Sequence, residues 1–307
     1  MANLKGLRNR INSIKSTQKI TKAMKMVASA KVKRSENATK AGRPFTLALL
    51  ELFQRLMKAV EGCDLESKTY DSSINNYSAL LAKREIKTVG LLVLTSNKGL
   101  AGAYNSNLVK KTLAKIKEYN EQGIKTRLFV VGTKGVNSLE RKRKLLDFEI
   151  VKAYTKFPQE VGFSDSQIVA EDLADEYVNQ RIDKVEIITT LFKNMMSYSV
   201  TDVGLLPLDV EKVNYEDGIP EPLMEFEPDA DALLQVLTPM YFSNLIYHAF
   251  LEATASELAS RTMAMSAASD NAEAMINSLT VEYNKARQFT ITQELIEIVG
   301  GAGALKK

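Results

Sequence analysis

Residues 240–299 are sixty consecutive positions without a glycine or a proline. Wholly helical, that stretch would run to about 90 Å at about 1.5 Å per residue, while helices of globular proteins average roughly 10–14 residues. A 307-residue chain built around such a segment needs a second long element to cover it, plus a medium-sized domain for the rest. The segment's apolar positions include Leu237, Tyr241, Leu245, Met275, Leu279 and Tyr283, and alanines 253, 255, 259, 264, 267 and 268 take over in the middle. Small seam residues let two helices approach closely. Gly300, Gly301 and Gly303 are expected to end the helix.

The covering element is sought at the other end of the chain. Residues 7–41 also lack glycine and proline, and Leu4, Leu7, Ile11 and Ile14 keep the 3–4–3 spacing of a coiled-coil seam. Ile20, Met24 and Val27 resume the pattern after a six-residue step, which predicts a local break in heptad register. Gly42 and Pro44 mark a break or kink, followed by a second helical stretch over 45–60 that ends at Gly62.

Between these ends the texture changes. Residues 86–95 (IKTVGLLVLT), 126–132 and 184–192 read as buried strands, and 105–122, 133–143 and 164–180 as helices. Strand–helix alternation of this kind predicts an open α/β sheet of Rossmann-like topology. Residues 63–80 read as a polar linker, and the proline-rich, acidic stretch 207–228 as the return connection. The expected fold is therefore α/β plus coiled coil: long N- and C-terminal helices paired antiparallel, with a Rossmann-like α/β domain inserted between them. Its parts are an N-terminal coil helix (1–60), the linker, α/β domain and return connection (61–226), and a C-terminal coil helix (227–307).

Composition narrows the function. One cysteine, Cys63, leaves no internal disulfide, and a single histidine, His248, makes a Cys/His zinc site or a Ser–His triad improbable on supply. His248, beside Tyr247 and Phe250, reads as a packed or surface residue. The methionines of the helical segments read as seam packing. No apolar run reaches 18 residues, so no membrane span is expected. Net charge is only +4, but residues 1–34 carry ten Lys/Arg and no acid. Such a start imitates a transit peptide, yet the helical pattern runs past a cleavage point and Lys outnumbers Arg. The charge fits a solvated face, a nucleic-acid or acidic-lipid surface, or a shaft within an acidic sleeve. Stacking aromatics are missing, the first being Phe45.

The loop TSNKGLAGAYN at 95–105 follows a strand and opens a helix, a place where anions bind. Its glycines, Gly99 and Gly102, match neither the P-loop nor G-x-G-x-x-G. A tight turn or a protein-contact loop is the expected reading.

Four blocks carry a resemblance. LRNRINSI at 7–14 with TQKITKAMKMVASAK at 17–31, RTMAMSAASDNA at 261–272, YNKARQFTITQE at 283–294 with EIVGGA at 297–302, and KGLAGAYN at 98–105 closely resemble the gamma subunits of bacterial-type F-type ATP synthases. The departures are Ala101 where many members have Cys, Asn97-Lys98 where many have Asp-Arg, and Phe289 in place of a small residue. With no cysteine pair, the redox switch of chloroplast relatives is not expected. The resemblance implies a non-catalytic central-stalk rotor, one copy per complex, that regulates ATPase activity and couples proton or sodium flow to ATP synthesis. It implies no cofactor and no metal. Alpha and beta subunits, epsilon and the membrane ring of c subunits would be its partners, at the cytoplasmic face of the membrane. Carried over by motif, Arg287, Gln288 and Thr292 would engage beta subunits. Lys98, Gly99, Leu100 and Ala101 would meet an acidic beta segment, and Lys19, Lys22 and Met24 would face the sleeve. Phe226 and Glu227 would touch the rotor ring. The competing reading is a basic coiled-coil nucleic-acid-binding protein.

Overall fold

The computed structural model describes residues 4–60, 73–143, 146–157, 161–208, 226–227 and 229–304. The expectations for 63–72 and for 209–225 lie outside these residues, whereas 73–80, expected as polar linker, is helical with Ile74, Tyr77 and Leu80 buried in the core. Helix α1 (Leu4–Val60) is followed by a 3₁₀ turn (Ser73–Asn75) and α2 (Tyr77–Leu81). The α/β portion then runs β1 (Thr88–Leu94), α3 (Tyr104–Glu121), β2 (Lys125–Val131), α4 (Thr133–Glu140), β3 (Glu149–Tyr154), α5 (Phe163–Val178), β4 (Lys184–Asn194) and β5 (Ser197–Leu206). Helix α6 (Ala230–Ala304) closes the chain with 75 residues. Two compact units are present, one of residues 30–260 and one of residues 1–29 with 261–307.

In the 30–260 unit the sheet order is β3-β2-β1-β4-β5, parallel except for the β4–β5 hairpin. Period-two alternation sends Val89, Leu91 and Val93 to one face, against Tyr104, Leu108 and Ile116 of α3. Leu92 and Leu94 go to the other, into a core that includes Leu173 and Tyr177 of α5, Phe53 of α1 and Phe242 of α6. Both long helices thus share the sheet's core here, and Phe53 stacks on Tyr241 at 4.8 Å between centroids. They run antiparallel: Asn244 donates to Thr46 Oγ1 at 2.9 Å, and Ser35 Oγ donates to the Leu251 carbonyl at 3.4 Å.

In the other unit Lys25 Nζ donates to Ser266 Oγ at 3.0 Å, again antiparallel. Leu4, Leu7, Ile11, Ile14, Gln18, Thr21, Lys25 and Ala28 are the α1 residues at strict heptad spacing that are buried or half-buried. The predicted register break is therefore absent. The seam continues through the polar residues Gln18, Thr21 and Lys25, while Ile20, 60% exposed, and Val27 lie outside it. On α6 the buried or half-buried facing positions are Met265, Ala268, Ala272, Ile276, Leu279, Tyr283, Ala286, Thr290 and Gln293, with two successive four-residue steps over 268–272–276. Alanines 268, 272 and 286 are among these positions, and only the first belongs to the run of small residues noted in the sequence.

Two expected stops do not occur. Pro44 lies within α1, where the Lys40 carbonyl it leaves unmatched sits on the exposed side and water can serve it. Gly300, Gly301 and Gly303 lie within α6, because a glycine weakens a helix by about 1 kcal/mol without forbidding it. Two strands were also missed. β3 and β5 are the sheet edges, and their half-exposed, polar alternation hides them from a search for apolar runs.

Candidate partner-contact surfaces

The glycine-containing loop after β1 is braced at both ends and displayed in the middle. Thr95 Oγ1 donates to the Val131 carbonyl at 2.6 Å and accepts from Gly135 N–H at 3.0 Å. Gly132 (φ +95°) and Gly135 are required there, since a Cβ at either would lie 2.4 Å or less from a Thr95 oxygen. Ser96 N–H donates to Asn105 Oδ1 at 3.0 Å, and Asn97 accepts from Thr133 N–H while donating to the Phe157 carbonyl. Lys134 N–H goes to the Ser96 carbonyl. Asn105 thus occupies one amide of this loop, and Thr95 and Asn97 occupy two at the neighbouring start of α4. The loop is thereby tied to the start of α4 as well as to its own helix.

Between the braces, Lys98 and Leu100 are exposed; Leu100 is 65% exposed and held outward by φ +64°. Gly99 is half-buried beneath the Lys134 side chain. Ala101 is placed differently: its side chain is only 2% exposed, in the α3-side core, and its carbonyl accepts from Ser260 Oγ of α6 at 2.7 Å. The surface the loop offers is therefore formed by 98–100, with Ala101 as its root. Ser260 and Thr95 hold this loop, and neither stood out in the sequence, where a lone Ser or Thr carries no distinguishing signal.

At the far end of α6, Arg287, Gln288 and Thr292 are exposed and lie beside the heptad positions 286, 290 and 293. Thr292 Oγ1 is turned back to the Gln288 carbonyl at 2.9 Å. Phe289 (70% exposed), Ile291, Leu295, Ile296, Ile298 and Val299 accompany them. At about 100° per residue these six span roughly half the helix circumference, wider than the seam one partner helix covers. On α1, Lys19 and Lys22 point away from the seam, and Met24 is half-buried beside it. Ile20, Met26 and Val27 add exposed apolar surface where the sequence reading expected seam packing. Phe226 packs against the sheet core, and Glu227 is exposed. Burial holds the single histidine, His248, below its usual imidazole range.

A family described as ATP synthase matches residues 3–305. The ATP synthase gamma chain of Synechococcus sp. (strain JA-3-3Ab) is 37% identical over 329 aligned positions, covering 99% of this chain and 100% of the relative. That of Desulforamulus reducens is 36% identical over 306 positions, covering 100% of each. The chain belongs to the ATP synthase gamma-chain family. Among solved structures, the central stalk of the Tetrahymena thermophila mitochondrial ATP synthase is similar at 28% identity and TM-score 0.57, over 81% of this chain and 99% of that one. A chain of the Euglena gracilis mitochondrial enzyme aligns at TM-score 0.63 over 98% and 94%; at 19% identity it speaks for the fold alone. These relatives give no support to the nucleic-acid reading of the basic helix. Among the described residues, no helix is long and apolar enough to cross a membrane.

Proposed function

We propose that this gamma-family chain is the non-catalytic shaft of an F-type ATP synthase, held at the cytoplasmic face of the membrane. The observation that carries the reading is the apolar half-cylinder at the end of α6, which the described residues leave exposed and which suits a sleeve of alpha and beta subunits. Arg287, Gln288 and Thr292 would grip beta subunits from within that sleeve. Lys98, Gly99 and Leu100, rooted on Ala101, would meet an acidic beta segment from outside, and Lys19, Lys22 and Met24 would line the sleeve from α1. Phe226 and Glu227 would sit towards the ring of c subunits, with epsilon beside the α/β domain. In this assembly 1–60 and 227–307 act as the coil and 61–226 as the foot, one copy per complex.

The magnitudes favour a shared load. Each elementary charge crossing about 100 mV supplies about 2.3 kcal/mol, so several ions per ATP send roughly ten kcal/mol through the shaft. One exposed ion pair is worth about 0–1 kcal/mol. Torque must therefore be spread over long helices and many contacts.

The test is reconstitution. The pure chain is expected to hydrolyse no ATP, and to restore controlled hydrolysis and ion pumping when combined with alpha, beta and ring subunits. Arg287→Ala with Gln288→Ala should slow coupled turnover about ten- to hundredfold, the loss of a charge-assisted contact costing about 1.5–3 kcal/mol, while the chain's melting curve stays in place. Unchanged turnover and pumping would remove the grip assigned to these two residues, and hydrolysis by the pure chain would overturn the non-catalytic reading.

A further inference from the structure

The loop after β1 shares its surface with a residue from the next strand's turn. Lys134, exposed at the start of α4, lies over it: a Cβ placed on Gly99 would sit 3.5 Å from the Lys134 Cε and 3.8 Å from its Nζ. Two bonds fix that neighbour at its root. The Lys134 N–H donates to the Ser96 carbonyl at 3.1 Å, and Thr133 Oγ1 donates to the Asn97 carbonyl at 2.7 Å. Pairing of β1 with β2 thus sets Lys98 and Lys134 side by side from two separate loops.

Charge and shape together give this surface a partner class. Neither lysine makes an ion pair among the described residues. Glu257 of α6 lines a cavity with Lys98, but it already has a protein neighbour and the two are not paired. Lys156, also exposed, stands one residue before Phe157, whose carbonyl accepts from Asn97 at 2.9 Å. Beside these cations Leu100 is 65% exposed at φ +64°. Glycine holds such a backbone freely, and a leucine does so only with strain. An apolar side chain held in water on that backbone adds little to the isolated chain, so its use lies with a partner.

We propose that Lys134 and Leu100 complete the contact surface of this loop for an acidic beta-subunit segment that carries an apolar residue among its carboxylates, a partner that rests on the shaft reading above. Lys134 is the second ammonium beside Lys98, and Leu100 is the apolar anchor. Exposed ion pairs are individually weak, so the lysines set the register of the segment and the covered leucine holds it.

Carbodiimide coupling of the complex reconstituted from alpha, beta and the full chain tests this, because the reagent joins an amine to a carboxylate only where the two touch. Peptide mass spectrometry is expected to find both Lys98 and Lys134 joined to Asp or Glu of beta subunits. Both yields should fall about threefold or more when salt is raised to about 1 M. Leu100→Gly relaxes the backbone, so the melting temperature of the chain should hold or rise while both yields fall about threefold or more. Coupling of Lys98 without Lys134 would overturn the part given to Lys134 and leave the shaft reading standing. Coupling of neither would remove the loop from the beta interface altogether. Yields unchanged in Leu100→Gly would overturn the anchor. Should Leu100→Gly melt lower, Leu100→Asn, which also tolerates a left-handed backbone, decides by the same yields.

Discussion

The sheet domain and the far end of α6 spend their apolar residues in opposite ways. In β1, positions 89–94 are all buried and each large side chain has a core partner on one of the two faces. From Phe289 to Val299, six large apolar residues stand exposed on half a helix. The first region carries its own stability, because burial of apolar area contributes about 25 cal/mol per Å². The second makes its helix from local hydrogen bonds and a narrow seam, and leaves the remainder of that driving force to whatever surrounds it. On the shaft reading proposed above, one part would fold alone and another would keep its outward face available.

The sharpest break of this comparison is a matched pair of truncations. Leu92→Ala, at a fully buried β1 position, should cost about 2–5 kcal/mol in denaturant unfolding of the isolated chain. Leu295→Ala, at a position 57% exposed, should shift it by less than about 0.5 kcal/mol. Similar losses from the two would mean the α6 end has internal cover that its exposure does not reveal.

Gly132→Ala comes next. It forces φ +95° on a residue with a Cβ and drives that Cβ to 2.4 Å from the Thr95 carbonyl oxygen. A cost of about 2–3 kcal/mol is expected, read as faster hydrogen exchange in β1 and β2 with exchange at 281–299 unaltered. Accelerated exchange at both places would tie the two regions into one cooperative unit.

Asn97→Ala sharpens the comparison within the sheet domain, since it removes the acceptor of Thr133 N–H and the donor to Phe157. A loss of about 1–2 kcal/mol is expected. The emptied turn should still not gain nucleotide affinity, because Asn105 and Thr95 continue to occupy their amides. An ATP-dependent rise in the melting temperature of this variant would show that Asn97 alone keeps the turn closed.

The smallest effect is electrostatic. Hydrogen bonds from Lys111, then Lys115, hold the Asp202 carboxylate down at about 2. Its ordinary value is about 3.9, so the folded state favours the charged form. That stabilisation is fully present above about pH 4 and is lost as pH falls towards 2. Asp202→Asn should therefore lower the melting temperature slightly at pH 7, consistent with about 1 kcal/mol or less for a solvent-screened pair. The difference should vanish near pH 2. A constant difference across that range would assign the effect to packing.

Much of this architecture was readable before any coordinates. Sixty residues without glycine or proline can hardly be anything but a long helix, and strand–helix alternation through the middle fixed the class of the inserted domain, because both signals are local and repeated. Seam register, edge strands and the orientation of the glycine loop were not readable in that way. Ile20 and Val27 look like seam residues because they are apolar, but a seam is chosen by which face meets the partner, and Gln18, Thr21 and Lys25 occupy it. β3 and β5 are strands because neighbours supply their hydrogen bonds. Ala101 faces inward and Leu100 outward because Ser260, 159 positions away, holds the loop by one carbonyl. The sequence by itself determined the long helices and the buried central strands, where local backbone preference and periodicity suffice. Only the tertiary structure decided which side chains face the chain's own core and which face outward, since that depends on partners distant in sequence.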